Sequence, residues 1–210
     1  MYNLDMAYDP TEQILVVPAE WVNDLCEQGF TPDIHPDFLA HLPEKALFMT
    51  RPAAEVNPKF RQIIPYVLVK YQNKYLTVTR QTTQTETRLH HKVSLGIGGH
   101  INPVDGNPAN ILDAGLRREL SEELATDNPP RFNELKLFGL LRDDVDEVGQ
   151  VHLGVVLLWE TNEPISIRET DKMAGAYLTL EEIAPYQDRL ENWSRLVYEN
   201  LTVPVATLTD

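Results

Sequence analysis

Three glutamates lie close together in the segment Arg118–Glu123. Glu119, Glu122 and Glu123 are spaced i, i+3 and i+4, which on a helix brings their carboxylates to one face. Carboxylate oxygens are the ligands that Mg²⁺ prefers, and Mn²⁺ is the alternative ion. The spacing therefore predicts a divalent-cation site. The alternative is a solvated acidic helix face on which Arg118 pairs with Glu122 across one turn.

The residues before this segment predict the elements that hold it. Val93–Ile97 is an apolar run followed by Gly98 and Gly99, which is typical of a strand whose end another group approaches closely. A loop rich in Pro, Asp and Asn follows over Asn102–Asn110, and Asn107–Pro108 within it is a helix-start signal. We therefore predict a strand, a glycine pair, a loop and a helix, in that order.

This order, with the helix sequence Arg-Glu-Leu-Ser-Glu-Glu-Leu, resembles the signature of the Nudix hydrolase family, and the similarity extends over about residues 61–200. In that family the pattern is Gly, five residues, Glu, seven residues, then Arg-Glu-apolar-x-Glu-Glu-x-Gly-apolar. The positions that match the pattern are Gly99, Arg118, Glu119, Leu120, Glu122 and Glu123. The half of the signature that binds metal is therefore intact.

The first half of the signature departs from the family pattern. Eighteen residues separate Gly99 from Arg118, which is five more than in the pattern. The family's first Glu falls on Asp105 when the spacing is counted forward from Gly99. It falls on Asn110 when the spacing is counted back from Arg118. From the sequence alone, either position can be the counterpart of the family's first Glu.

The resemblance implies an α/β/α sandwich with a mixed sheet. We expect a Nudix-like domain over residues 59–203, preceded by a small α/β appendage at 1–58 and followed by a tail at 204–210. Because Ala125 replaces the closing Gly of the signature, the helix is expected to end at Asn128. Apolar runs predict strands at Gln13–Pro18, Ile63–Val69, Tyr75–Thr79, Leu135–Leu141, Val151–Trp159 and Tyr177–Leu180.

The resemblance also implies the reaction. It is the metal-dependent hydrolysis of a diphosphate linkage in a small phosphorylated substrate of the nucleoside diphosphate-X type. By the resemblance, the metal ligands are Glu119, Glu122, Glu123 and the Gly99 carbonyl. The catalytic residues are Glu122, Glu119, Arg118 and Glu169. Within this set, Arg118 orients a carboxylate by hydrogen bonding.

The role of Glu169 comes from its place in the chain. Family members often carry a further acid on a later loop, where it binds metal or acts as the general base. Glu169 and Asp171 lie in such a loop before the Tyr177 strand, and Glu147 is a third candidate. We place Glu169 first. For each acid the alternative is a solvated loop position.

Basic residues that could bind a phosphate are concentrated before the glycine pair. Arg80 and Arg88 are the candidate substrate-binding residues there, and His100 follows the glycines directly. The alternative for the arginines is an ordinary surface position. For His100 the alternative is a structural histidine held by hydrogen bonds, and His152, inside an apolar strand, is expected to be structural.

Composition narrows the range of partners. The chain has 210 residues and a formal net charge of −14, which argues against binding of nucleic-acid backbones or anionic membranes. Cys26 is the only cysteine, and no stretch of 18 apolar residues occurs. We expect a cytoplasmic protein with Cys26 in its core. Homodimerisation is left open.

Two other functions are compatible with the fold. Isopentenyl-diphosphate isomerase shares it and also carries a Gly-His segment, but that enzyme uses an active-site cysteine, and Cys26 lies far from His100 in the sequence. A non-catalytic nucleotide-binding module is the other alternative, which Asn110 and the longer loop favour. The intact glutamates argue against it.

Overall fold

In the described part of the chain, ten strands form one mixed sheet with six α-helices. The computed structural model describes residues 9–32, 34–80 (Arg80 as backbone only), 92–106, 110–168, 170 and 173–202. The strands are β1 Gln13–Pro18, β2 Gly29–Thr31, β3 Leu47–Thr50, β4 Phe60–Tyr71, β5 Lys74–Arg80, β6 Val93–Ser94, β7 Gly96–Ile97, β8 Lys136–Arg142, β9 His152–Thr161 and β10 Met173–Leu178. The helices are α1 Ala19–Asn23, α2 Pro36–Lys45, α3 Arg51–Ala54, α4 Ile111–Glu123, α5 Leu180–Ile183 and α6 Asn192–Thr202.

The centre of the sheet is the parallel pair of β4 and β9. Their register runs from Gln62 beside His152 to Tyr71 beside Thr161. The main strand order is β10-β5-β4-β9-β8-β2, and β6 and β7 add short antiparallel pairings to β5 and β4. The nearly continuous apolar sequence of β9 agrees with its central position, because a strand covered on both faces buries every side chain.

Helices cover both faces of this sheet. On one face, Leu116 and Leu120 of α4 pack with Val67 and other β4 and β9 residues. On the other, Val197 of α6 packs with Leu68. Neighbouring residues of one strand point to opposite faces, so the two helices lie on opposite sides. The predicted α/β/α sandwich with a mixed sheet is confirmed.

The residues before position 58 belong to the same sheet. β1 pairs antiparallel with both β3 and β4, and β2 pairs antiparallel with β8. The Leu15 amide also donates to the Ile101 carbonyl oxygen at 2.8 Å. Leu15 and Phe38 share a buried cluster with Ile63 and Leu153. The domain boundary at residue 58 stays a prediction, but these residues contribute both strands and core.

Helix α4 is shorter than its sequence predicts. It begins at Ile111, after Asn110, and the predicted start signal at Asn107–Pro108 lies outside the described residues. It ends at Glu123 and not at Asn128. Tertiary hydrogen bonds explain the early end.

At that end the chain turns into an extended conformation. Leu124 is fully buried and forms a bridge with Ile167. The Ala125 amide donates to the Ser166 carbonyl at 2.9 Å, and the Arg168 amide donates to the Glu123 carbonyl at 2.7 Å. These bonds satisfy the backbone groups that a further helical turn would have used.

Among the described residues, no helix combines the length and the apolarity needed to span a bilayer.

Replacing Leu120 by Ala should lower the free energy of unfolding by roughly 2–5 kcal/mol, because the side chain is fully buried between α4 and the sheet. Denaturant titration measures the change. The control is Val104→Ala, whose side chain is 84% exposed and which should change stability by less than about 0.5 kcal/mol. Equal effects of the two changes would show that α4 is not anchored through Leu120.

Candidate active site

The guanidinium of Arg118 is the centre of the polar network beside α4. Its Nε and Nη2 atoms donate to the two carboxylate oxygens of Asp105 at 2.8 and 3.1 Å. Nη2 also donates to the His100 carbonyl at 2.7 Å and to Asn102 Oδ1 at 3.0 Å. Nη1 donates to Glu119 Oε1 at 2.7 Å. Arg118 therefore joins the loop after β7 to the helix that carries the glutamates.

These contacts decide how Arg118 is held. The alternative expected from sequence was a helix ion pair with Glu122, but those atoms are 3.5 Å apart and Glu122 is 58% exposed. An exposed pair of this kind contributes little to stability. The shorter bonds go to Asp105, Glu119 and the His100 carbonyl. Although burial lowers the pKa of Arg118, its hydrogen bonds to Asp105 and Glu119 raise it overall, so the side chain is permanently charged.

Asp105 is the acid that binds this arginine from the loop. Its side chain is 2% exposed, and in addition to its two bonds with Arg118 it accepts a hydrogen bond from the Asn102 amide at 2.8 Å. Of the two positions that the family spacing allows for the first acid, Asp105 is the one that contacts Arg118. Asn110 instead lies at the N-terminus of α4. If Asp105 is the counterpart of the family's first Glu, the five additional residues fall between Asp105 and the signature residues of α4.

Glu119 lies against the backbone at Gly99. A Cβ atom at Gly99 would overlap the Glu119 carboxylate, which explains why this position has no side chain. At Gly98 a Cβ would overlap the Pro65 carbonyl oxygen of β4. The close approach predicted from the glycine pair is thus confirmed at both residues. Burial raises the pKa of Glu119, while Arg118 opposes this shift.

The three glutamates of α4 differ in exposure and contacts. The Glu119 side chain is 13% exposed, that of Glu122 is 58% exposed, and Glu123 is half-buried. Oxygens of Glu119 and Glu122 both approach Nη1 of Arg118. The three do not form a group whose ligand atoms all lie within 4.8 Å of one another.

Several predicted site residues cannot be placed. Arg88 and Glu169 lie outside the described residues, as do the side chain of Arg80 and the alternative acid Asp171. Their roles stay predictions. Glu147, the third candidate acid, is exposed in the turn before β9.

His100 has a partly buried ring. Its Nε2 lies 2.7 Å from Gln62 Oε1 of β4, and its ring centroid is 5.8 Å from that of His152. Burial lowers the pKa of His100 well below its usual value, and the nearby charges of Arg51, His152 and Arg118 lower it further. The imidazole is neutral at pH 7. It can therefore act as a hydrogen-bonding group or a metal ligand, but not as a cation.

A second group of ligand atoms surrounds His100. Glu55, His100 and His152 each offer one ligand atom, and these atoms lie within 4.8 Å of one another; among the described residues this is the group that meets that criterion. Glu55 was not predicted from the sequence, and His152 was expected to be structural. No sequence spacing could have joined them, because the three belong to segments that only the sheet brings together.

A further missed feature is a polar connection from the N-terminal residues. Arg51 Nη1 donates to Glu12 Oε2 at 3.1 Å, and Arg51 Nε lies 3.4 Å from Glu55 Oε1. Glu12 Oε1 in turn accepts from Asn102 Nδ2 at 3.2 Å, and the same nitrogen donates to the Gln13 carbonyl at 2.9 Å. Since Asn102 also binds Arg118, the residues before 58 help to hold the signature loop.

Similarity to known proteins indicates the family of this chain. No family model matches the chain. Protein YmaB of Bacillus subtilis (strain 168) is 33% identical over 201 residues, which cover 90% of this chain and 97% of the relative. The crystal structure of Tm1382, described as a candidate Nudix hydrolase, is 30% identical with a TM-score of 0.77 and covers 90% of this chain and 98% of that one.

A more distant structure shows the same fold. The bifunctional NMN adenylyltransferase/ADP ribose pyrophosphatase from Francisella tularensis is 17% identical with a TM-score of 0.50, over 67% of this chain and 40% of that one. The similarity to Tm1382 extends over nearly the full length of both chains, and this chain carries the glycine pair, Arg118 and the glutamates of the signature. The chain is therefore an enzyme of the Nudix hydrolase family.

Proposed function

We propose that the protein hydrolyses a diphosphate linkage in a small phosphorylated substrate of the nucleoside diphosphate-X type, with Mg²⁺, or alternatively Mn²⁺, bound by the glutamates of α4. The single observation that carries the proposal is the fixed position of Glu119 between Arg118 and the Gly99 backbone. The substrate class is supported by the shared fold with a protein that includes an ADP ribose pyrophosphatase.

The donor set fits a hard divalent cation. Glu119, Glu122 and Glu123 supply only carboxylate oxygens, and we include the Gly99 carbonyl as a further oxygen ligand. A cationic nitrogen of Arg118 is already accommodated between Glu119 and Glu122. When bound, the ion would neutralise charge on the diphosphate and lower the pKa of a water molecule.

The protein's own residues would perform the remaining tasks. Arg118 orients the Glu119 carboxylate, and it is itself held by Asp105. We propose Glu169 as the proton acceptor for the attacking water. Its neighbour Arg168 donates its amide proton to the Glu123 carbonyl at 2.7 Å, which supports a position of this loop beside the end of α4.

Phosphate binding is proposed for Arg80 and Arg88, which supply positive charge in an otherwise acidic chain. His100 was proposed for the same task from sequence. Its neutral ring could contribute a hydrogen bond but no charge. The isomerase alternative loses support, because Cys26 is buried in a core cluster with Val22 and Phe38. A panel of diphosphate compounds, assayed with Mg²⁺ and with EDTA, tests the proposed reaction against this alternative.

Mg²⁺ at millimolar concentration should raise the melting temperature, because a ligand bound only by the native state stabilises it by mass action, by about 2.7 kcal/mol at 100 times Kd. Differential scanning calorimetry measures the shift. The control is the triple variant Glu119→Gln, Glu122→Gln, Glu123→Gln, which should show no shift. Equal shifts in both proteins would place the Mg²⁺ site elsewhere.

Glu122→Gln and Glu123→Gln should each be nearly inactive, since loss of a ligand charge weakens both ion binding and stabilisation of the reacting phosphoryl group. Glu169→Gln should lose roughly 10²–10⁴ in kcat while keeping its metal affinity. Steady-state kinetics and calorimetric Mg²⁺ titration separate the two effects. Full activity of Glu123→Gln would refute the mechanism, whereas full activity of Glu169→Gln would move the base role to Glu147, Asp171 or Glu119.

Removing the five residues between Asp105 and Ile111 should change the substrate profile but preserve Mg²⁺ binding, because the hydrogen bonds from Arg118 hold Asp105 against α4 without the residues between them. The same substrate panel and the Mg²⁺ titration measure the two properties. If Asp105→Asn abolished Mg²⁺ binding as completely as Glu123→Gln does, this division between specificity and metal binding would be wrong.

A further inference from the structure

The strongest group of ligating side chains outside the glutamates of α4 lies at the ends of β4, β7 and β9. Glu55 follows α3, His100 follows the glycine pair, and His152 is the first residue of β9. The three side chains are partly buried, and their ligand atoms lie within 4.8 Å of one another. Because zinc ligands lie about 2.0–2.2 Å from the ion, an inward shift of these side chains would bring all three atoms to one cation.

The fold fixes the positions of these residues. Gln62 of β4 pairs with His152 of β9 in the parallel register, and the same Gln62 side chain binds the ring of His100. Glu55 is held by Arg51, whose guanidinium also binds Glu12 at the start of the sheet. The site is therefore built on strands and on a paired helix end, not on a loop alone.

One nitrogen of each ring lies at hydrogen-bond distance from an oxygen atom. His152 Nδ1 lies 2.7 Å from the Val148 carbonyl oxygen, which can only accept, so this nitrogen carries the proton. His100 Nε2 lies 2.7 Å from Gln62 Oε1. Each ring offers one ligand atom to the group. A ring fixed by an N–H bond to an oxygen acceptor is the usual arrangement of a metal-binding histidine.

Two arginines lie beside the group, and each is already bound to carboxylates. Arg51 binds Glu12 at 3.1 Å through Nη1 and Glu55 at 3.4 Å through Nε, so a cation at Glu55 would take the place of Arg51 there. Arg118 binds the His100 carbonyl but is neutralised by both oxygens of Asp105. The Glu55 carboxylate adds the negative charge that a divalent ion requires.

We propose that Glu55, His100 and His152 form a second metal site, which binds a transition-metal cation of the Zn²⁺ type. Two imidazoles and one carboxylate suit Zn²⁺ and its neighbours, whereas Mg²⁺ prefers oxygen ligands. Three protein ligands leave a fourth position for water or for an oxygen of a phosphate group. The site is chemically distinct from the carboxylates of α4 and does not depend on the hydrolase proposal.

The experiment is a calorimetric titration of the EDTA-treated full chain with Zn²⁺, in a background in which His90 and His91 are replaced by Ala to remove an adjacent histidine pair. We expect one Zn²⁺ per chain. His100→Ala, His152→Ala and Glu55→Gln should each weaken binding at least tenfold. Co²⁺ in place of Zn²⁺ should give visible absorption bands that these variants lose.

Two controls make the result decisive. His41→Ala removes an exposed histidine of α2 and should leave Zn²⁺ binding unchanged. The double variant Glu122→Gln, Glu123→Gln should lose the Mg²⁺ effect on the melting temperature but keep its Zn²⁺ affinity. Failure of one proposal can therefore be distinguished from failure of the other. Circular dichroism checks that each variant folds. If a histidine variant does not fold, Glu55→Gln, a change at the end of a helix, tests the proposed site in its place. Zn²⁺ affinity that is unchanged in Glu55→Gln and in the histidine variants, or is lost with the α4 glutamates alone, would overturn the proposal.

Discussion

The Arg118 guanidinium is the interaction on which the site depends. It binds Asp105 with two hydrogen bonds, the His100 carbonyl, Asn102 and Glu119, so one side chain connects the signature loop, the end of β7 and α4. A guanidinium has five donors in a fixed plane, which a lysine could not replace. Because Asp105 is almost fully buried, loss of Arg118 would leave its carboxylate buried without a cationic partner, which is strongly destabilising.

The N-terminal residues take part in the same network. Glu12 links Asn102 to Arg51, and β1 pairs with β4. The segment before residue 58 thus adds strands to the sheet and polar contacts to the loop. Residues outside the signature therefore hold Asn102 in place. Because Asn102 binds Arg118, they also support part of the Arg118 network. The Glu55, His100 and His152 group depends on them as well.

Helix α4 serves as a rigid platform with two different faces. Leu116 and Leu120 are buried on the sheet, which fixes the axis of the helix. Glu119 is then turned towards Gly99, while Glu122 remains open to solvent. Of these two carboxylates, that of Glu119 is held by Arg118 and that of Glu122 is exposed. The helix ends where Leu124 joins Ile167, so the later loop is tied to the same platform.

The sequence by itself predicted most of the longer strands, the helix that carries the glutamates and the close approach at Gly98 and Gly99, because apolar periodicity, glycine and helical spacing are local properties. The family spacing left Asp105 and Asn110 as alternatives, and only the bond to Arg118 decided between them. The early end of α4 and the Glu55, His100 and His152 group were likewise decided by tertiary structure. Each arises from contacts between residues far apart in the chain, for which no local pattern exists.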